Sequence, residues 1–161
     1  TLNSQSVRFW TEQGIQRIIL ARELCREELQ YLRTENPDIE MEIFVHGAMC
    51  MAYSGRCNLS RYVLNRDANR GQCAHPCRWR YDLVENQQEQ WIDIEEDARG
   101  LYLLNSKDLN LAPYIGELVE MGIDSLKIEG RNKPSYYIAN TVRVYRHLID
   151  AAVRGDQKER G

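Results

Sequence analysis

Four of the chain's five cysteines fall between residues 50 and 77, as Cys50, Cys57, Cys73 and Cys77. Their spacing is C-x6-C-x15-C-x3-C. In a chain that opens without a signal peptide, thiols gathered this way point to a bound metal, because an intracellular thiol pool reduces disulfides. Structural zinc favours cysteine pairs two to four residues apart, and only Cys73 and Cys77 meet that spacing. The two wider gaps suit a larger object gripped by separate loops, such as an iron–sulfur cluster. Spacing alone leaves zinc and iron–sulfur both open. The fifth thiol carries a different expectation. Cys25 falls on one helical stripe with Leu29 and Leu32, so the sequence predicts a buried core thiol there rather than a ligand.

A strand delivers the chain to these cysteines. Met41, Ile43 and Val45 alternate with Glu42, Phe44 and His46, the two-residue period of a pleated strand. Gly47 breaks the pattern and Cys50 follows at once. In α/β folds the C-terminal edge of the strands is where chemistry collects, which singles out His46. A later strand brings Ser125, Lys127 and Glu129 onto one face, with Arg131 in the loop beyond. Lys127 and Glu129 read equally well as an ion pair inside the sheet, and a lone His46 as a core histidine. Their joint placement at strand ends favours a site. Arg56 lies between two of the cysteines, and Arg66, Arg70, Arg78 and Arg80 flank the others. Arg70 and Arg80 read as solvated loop residues, whereas Arg56 and Arg78 adjoin ligands and suit charge neutralisation or a carboxylate clamp. Trp79 and Tyr81 offer flat faces for a base, with core packing as the equal alternative.

The elements alternate around an interruption. Helices are predicted at Ser4–Gln13, stopped by Gly14, and at Arg22–Asn36, stopped by Pro37. A strand buried on both faces is predicted at Ile15–Ala21, and another strand at Met41–His46. A short helix at Asn58–Leu64 and short strands at Trp79–Val84, Trp91–Glu95 and Leu101–Leu104 break the rhythm, the last two strands joined by a turn at 97–100. It resumes with a helix from Pro113 to Met121, a strand at Ile123–Ile128, and a long helix from Pro134. That last helix carries a stripe of Ile138, Val142, Tyr145, Ile149 and Ala152. The fold class is therefore α/β with parallel strands. Residues 1–50 and 105–154 form a (β/α) portion, 51–104 an inserted small β subdomain with the four-cysteine metal site, and 155–161 a frayed tail. Three such strands fall short of an eight-stranded barrel, which takes about 250 residues.

The chain has 161 residues, 43% of them hydrophobic and 28% charged, as in an ordinary globular domain. Its apolar runs are too short to cross a bilayer, and no targeting segment opens it, so a cytoplasmic protein is expected. It does not begin with methionine, which suggests part of a longer chain. A net charge of −3 argues against a stand-alone RNA-binding module. Neither H-E-x-x-H nor G-x-S-x-G occurs, and Ser54 and Ser60 lack an evident base. His46 with Cys50 is the one possible hydrolytic dyad, at the expense of a metal ligand.

Glu42-x-Phe44-x-x-Gly47-Ala48-Met49-Cys50, followed by Gly55-x-Cys57-x-Leu59-Ser60, resembles the signature of the U32 collagenase-like peptidase family. Arg78-Trp79, Asn105 to Leu109 and Lys127-Ile128-Glu129-Gly130-Arg131 are similar to blocks of one branch, which installs 5-hydroxyuridine at the tRNA wobble position. The resemblance covers nearly the whole chain. It implies a TIM-barrel-like catalytic domain of which this chain is the C-terminal portion, with the rest of the parent chain absent. It implies a [4Fe–4S] cluster on Cys50, Cys57, Cys73 and Cys77, with zinc as the alternative. It also implies tRNA as partner and prephenate, a dicarboxylate, as hydroxyl donor. Cationic contacts for the dicarboxylate are then expected from Arg56, Arg78, Lys107, Lys127 and Arg131, beside His46 and Glu129; the sequence assigns no catalytic residue. The family's title activity, proteolysis, and a non-enzymatic cluster-bearing scaffold are the alternatives.

Overall fold

The computed structural model describes residues 1–50, 52–54, 56–79 and 108–155, together with the backbone of residues 96–97 and 100–101. In chain order the elements are α1 (Ser4–Glu12), β1 (Arg17–Ile19), α2 (Arg26–Glu35), β2 (Glu40–Gly47) and α3 (Leu59–Leu64). After these come β3 (Glu96–Asp97), β4 (Gly100–Leu101), β5 (Leu109–Asn110), α4 (Ile115–Glu120), β6 (Ser125–Ile128) and α5 (Ser135–Arg154). The chain divides into two compact units, Thr1–Met49 with Asp108–Gly161, and Cys50–Lys107.

The first unit is a mixed α/β layer built around β2. β1 runs parallel to it, with Ile18 opposite Met41, and β6 runs parallel to it as well, with Ile43 opposite Leu126. The β6 register shifts between Phe44 and His46, a bulge that re-aims the end of the strand. β5 pairs antiparallel at that end, His46 opposite Asn110 and Gly47 opposite Leu109. The expected parallel order of the three main strands is thus present, and β5, at two residues, is too short to carry a readable pattern. The alternation in β2 works as its residue types require: Met41, Ile43 and Val45 are buried and Glu42, Phe44 and His46 half-buried. The buried set packs with Val7, Ile18, Leu29, Leu32, Ile115 and Tyr145 into one core.

Three expectations need correction. β1 is not buried on both faces: Ile18 and Leu20 are buried, whereas Ile15 and Ile19 are 42% and 43% exposed. β1 therefore buries one face and exposes the other. Cys25 is exposed, because α2 begins one residue later and Cys25 serves as its N-cap. Its backbone N–H donates to Glu28 Oε2 at 2.8 Å, and Glu27 and Glu28 place negative charge where the helix dipole favours it. In α5 the inward stripe is rotated from the expected one. Thr141, Tyr145 and Ala151 are buried, while Val142 is 47% exposed.

In the second unit, α3 is followed by single 3-10 turns at Ala68–Arg70 and Pro76–Arg78. Asn65 and His75 adopt left-handed backbone conformations, with φ of 55° and 57°, which reverse the chain at the end of α3 and before the second turn. β3 and β4 pair antiparallel, Glu96 opposite Leu101 and Asp97 opposite Gly100. Trp79 caps the second 3-10 turn. The expected strands over 80–84, 91–95 and 102–104 lie outside the described residues.

Candidate functional site

Towards the N-terminal half of β2 and β6, the half-exposed face of the sheet is charged. Lys127 Nζ lies 3.1 Å from Glu42 Oε1, and the Ser125 hydroxyl donates to Glu42 Oε2 at 2.8 Å. Partial burial raises the Glu42 carboxyl, but Ser125, Lys127 and Arg17 outweigh it and hold the group below the ordinary carboxylate range. Lys127 therefore pairs with Glu42, not with Glu129. Beside this pair, Arg22 stacks over the Phe44 ring at 3.8 Å, and the Lys127 ammonium stands 5.3 Å from the same ring. Arg22 also donates to the Ala48 carbonyl. Its position at the start of an expected helix hides it in the sequence, because a cation in a strand-to-helix loop leaves no periodic signal.

Glu129 and His46 end their strands side by side, the Glu129 N–H donating to the His46 carbonyl at 2.8 Å. Gly47 makes this approach possible. Its φ is +108°, and a Cβ there would overlap the Glu129 carbonyl oxygen. Glu129 Oε1 accepts the Arg131 N–H at 3.1 Å, whereas Oε2 is buried without a hydrogen-bond partner. The Arg131 side chain is exposed and forms no ion pair among the described residues.

His46 Nδ1 lies 3.2 Å from the Tyr145 hydroxyl, which donates to the Val45 carbonyl at 2.8 Å and lies 3.3 Å from Asn110 Oδ1. Tyr137 stands on the other side of the contact, its ring 5.8 Å from that of His46. Burial, then the Asp108 charge, raises the Tyr137 hydroxyl, with Lys133 opposing. Lys133 in turn pairs with Asp108 at 2.9 Å. Sequence reasoning misses Asn110, Lys133, Tyr137 and Tyr145 as site residues. Tyr145 is legible as core, and its hydroxyl chemistry depends on a partner about a hundred residues away.

The second unit holds the cysteines. All are free thiols; Cys50 is exposed and Cys57, Cys73 and Cys77 are half-buried. Asn69 grips Cys57 from both sides, its Oδ1 accepting the Cys57 N–H and its Nδ2 donating to the Cys57 carbonyl, each at 3.1 Å. Cys73 Sγ accepts the His75 N–H at 3.3 Å. Burial raises the Cys77 thiol first; Cys50 and Cys73 raise it further, Arg78 opposes, and Cys57 adds a smaller push. All four thiols thus lie in one electrostatic neighbourhood, although no three His, Cys, Asp or Glu among the described residues already converge as ligands. The donor set is all sulfur, braced by an N–H bond and a nearby guanidinium, and fits a thiolate-bound metal. Arg56 is exposed beside Cys57, and Arg78 is half-buried beside Cys77. Lys107, Arg80 and Tyr81 lie outside the described residues.

The sequence model of peptidase family U32 matches residues 1–160. The chain belongs to that family. Among its U32 relatives, tRNA hydroxylation protein P1 of Bacillus subtilis is 49% identical over 92% of this chain and 35% of its own length. tRNA hydroxylation protein P of Escherichia coli is 39% identical over 96% of this chain and 43% of its own. The 23S rRNA 5-hydroxycytidine C2501 synthase of Escherichia coli is 36% identical over 94% of this chain and 22% of its own. The chain thus spans less than half the length of these relatives. No solved structure matches it. Among the described residues, no helix is long and apolar enough to cross a membrane.

Proposed function

We propose that this chain is the cluster-bearing and substrate-facing part of a U32 enzyme that hydroxylates RNA, and that its target is C5 of the tRNA wobble uridine, in the cytoplasm. The carrying observation is the 49% identity to a tRNA hydroxylation protein across 92% of the chain. The parallel strands of the first unit then belong to a (β/α) barrel with its chemistry at their C-terminal ends.

In this reading Cys50, Cys57, Cys73 and Cys77 hold a [4Fe–4S] cluster. Ligated at every iron, such a cluster supplies electron transfer or rigidity rather than an open Lewis-acid site. Arg78 lowers the cost of gathering thiolates. The hydroxyl donor is a dicarboxylate, for which prephenate is the candidate. Arg131, exposed and without an ion-pair partner among the described residues, is the foremost cation to bind it. Lys127 is the weaker candidate, because Glu42 already neutralises it. Arg56 and Lys107 complete the basic set.

The test is mass spectrometry of tRNA from a deletion strain complemented with the complete gene. Wild-type gene restores 5-hydroxyuridine derivatives. Arg131→Ala is expected to weaken donor binding on the order of thirty-fold and to leave the iron content unchanged. Normal 5-hydroxyuridine in the deletion strain, without a redundant pathway, would remove the hydroxylase reading. The peptidase reading, carried by the family's name, predicts instead that purified protein cleaves denatured collagen.

A further inference from the structure

The hydrogen-bond donors around His46 fix where its proton resides. The Tyr145 hydroxyl has one hydrogen. Its shortest acceptor is the Val45 carbonyl at 2.8 Å, and Asn110 Oδ1 is farther, at 3.3 Å. The hydroxyl oxygen is left as an acceptor, and the atom 3.2 Å from it is His46 Nδ1. A hydrogen on that nitrogen completes the bond. In the neutral ring the lone pair is then on Nε2, which has no hydrogen-bond partner among the described residues. The ring is half-buried, so this lone pair is available to a ligand.

The rest of the strand end has the same polarity. Glu129 Oε2, on the neighbouring strand, is a second acceptor without a donor. A ligand that meets Nε2 has to present an N–H or O–H group there. A carboxylate would face this lone pair and is better placed at Arg131. We propose that His46, held as its Nδ1–H tautomer by Tyr145, presents Nε2 to the imide N–H of a uracil-type base, with Tyr145 as its positioning residue. The ligand class rests on the RNA-hydroxylase reading; the tautomer does not. Uracil carries a hydrogen at ring position 3 where cytosine carries a lone pair, so an acceptor here separates the two pyrimidines. The groups facing the ring are Tyr145 and Tyr137 from α5; Asn110 from β5 lies against the Tyr145 hydroxyl, and the Glu129 N–H, just after β6, is bonded to the His46 carbonyl. Asp108 and Lys133 act on it through Tyr137.

Two-bond proton–nitrogen correlation spectra of the 15N-labelled chain, recorded above the imidazole titration, read the tautomer directly. The three histidines are assigned by single substitution. Wild type is expected to show a protonated Nδ1 and a pyridine-like Nε2 for His46, and Tyr145→Phe to move the hydrogen toward Nε2. An Nε2–H tautomer in wild type would overturn the proposal, as would a folded Tyr145→Phe with the tautomer unchanged. If Tyr145→Phe fails to fold, the wild-type spectrum decides alone. For the ligand, binding of anticodon stem-loops carrying wobble U or C to the complete gene product is compared with that of His46→Phe. The expected result is loss of about tenfold in preference for U, with C binding unmoved. Equal loss on both loops would overturn the uracil assignment. Failure of the hydroxylase reading appears elsewhere, as normal wobble modification in the deletion strain.

Discussion

The two units are held together by different means. In the first, apolar side chains from β1, β2, α1, α2, α4 and α5 share one core, and polar contacts join residues as far apart as Tyr145 and Val45. In the second, the described bonds are local: Asn69 to Cys57, Asp67 to Asn69, Ser60 to Ala74, His75 to Cys73. Its fully buried side chains, among the described residues, are Ser60 and Pro76, and none of the buried apolar residues forming the core belongs to it. Among the described residues of that unit apolar burial is slight, and packing there contributes little cohesion. Four thiols in one neighbourhood are a means to supply it. The difference teaches that the strand-end site is preformed by packing, whereas in the proposed reading the cysteine site would draw its cohesion from a bound metal.

The largest expected effect breaks that contrast. Removing the metal, or Cys57→Ser, should unfold the second unit, since structural metal binding contributes on the order of 10 kcal/mol to small sites. Hydrogen exchange would then show lost protection over 57–79 with β2 and α5 still protected. Cys25→Ser, at an exposed helix cap, should leave metal content unchanged. Uniform loss of protection across both units would mean that they are not energetically separate. Next in size is Gly47→Ala, which forces a methyl group into the Glu129 carbonyl at a positive φ. About 2–4 kcal/mol of destabilisation is expected in urea unfolding, with metal content unaffected. The smallest effect concerns Glu42. Because its folded carboxyl is held below the ordinary value, its contribution is present above the unfolded value and disappears as pH falls through the folded one. Glu42→Gln should therefore cost about 1 kcal/mol at neutral pH and nothing in strong acid, discounted for the part-exposed Lys127. A pH-independent difference would assign the loss to packing.

What is legible in the sequence follows from the range of the interactions. β2 can be read because alternation is a local property, and Met41, Ile43 and Val45 all point inward. Glycine and proline stops place α1, α2, α4 and α5 to within a few residues. Tertiary choices are not legible. The rotation of α5 toward Thr141 is set by what lies beneath it, and the exposure of Cys25 by a helix that starts at Arg26 rather than Arg22. The strand ends show the same limit. Lys127 and Glu129 share a strand face, but Lys127 finds its partner in Glu42, across the sheet, a residue whose counter-charge no spacing rule reveals. Cys50, Cys57, Cys73 and Cys77 stand out by type alone.

The short β5 pairing has a kinetic consequence. Gly47 and Leu109 are neighbours across the sheet, so everything between them leaves the fold and returns at one point. In the unfolded chain, an excursion of this length raises the entropy of closure by roughly 2 kcal/mol over a tight turn. In the proposed reading, a metal that draws Cys50 toward Cys77 would shorten the effective excursion and ease this closure. Supply of the metal during synthesis would then govern how quickly the neighbouring sheet assembles, and for how long its apolar edge remains open to aggregation.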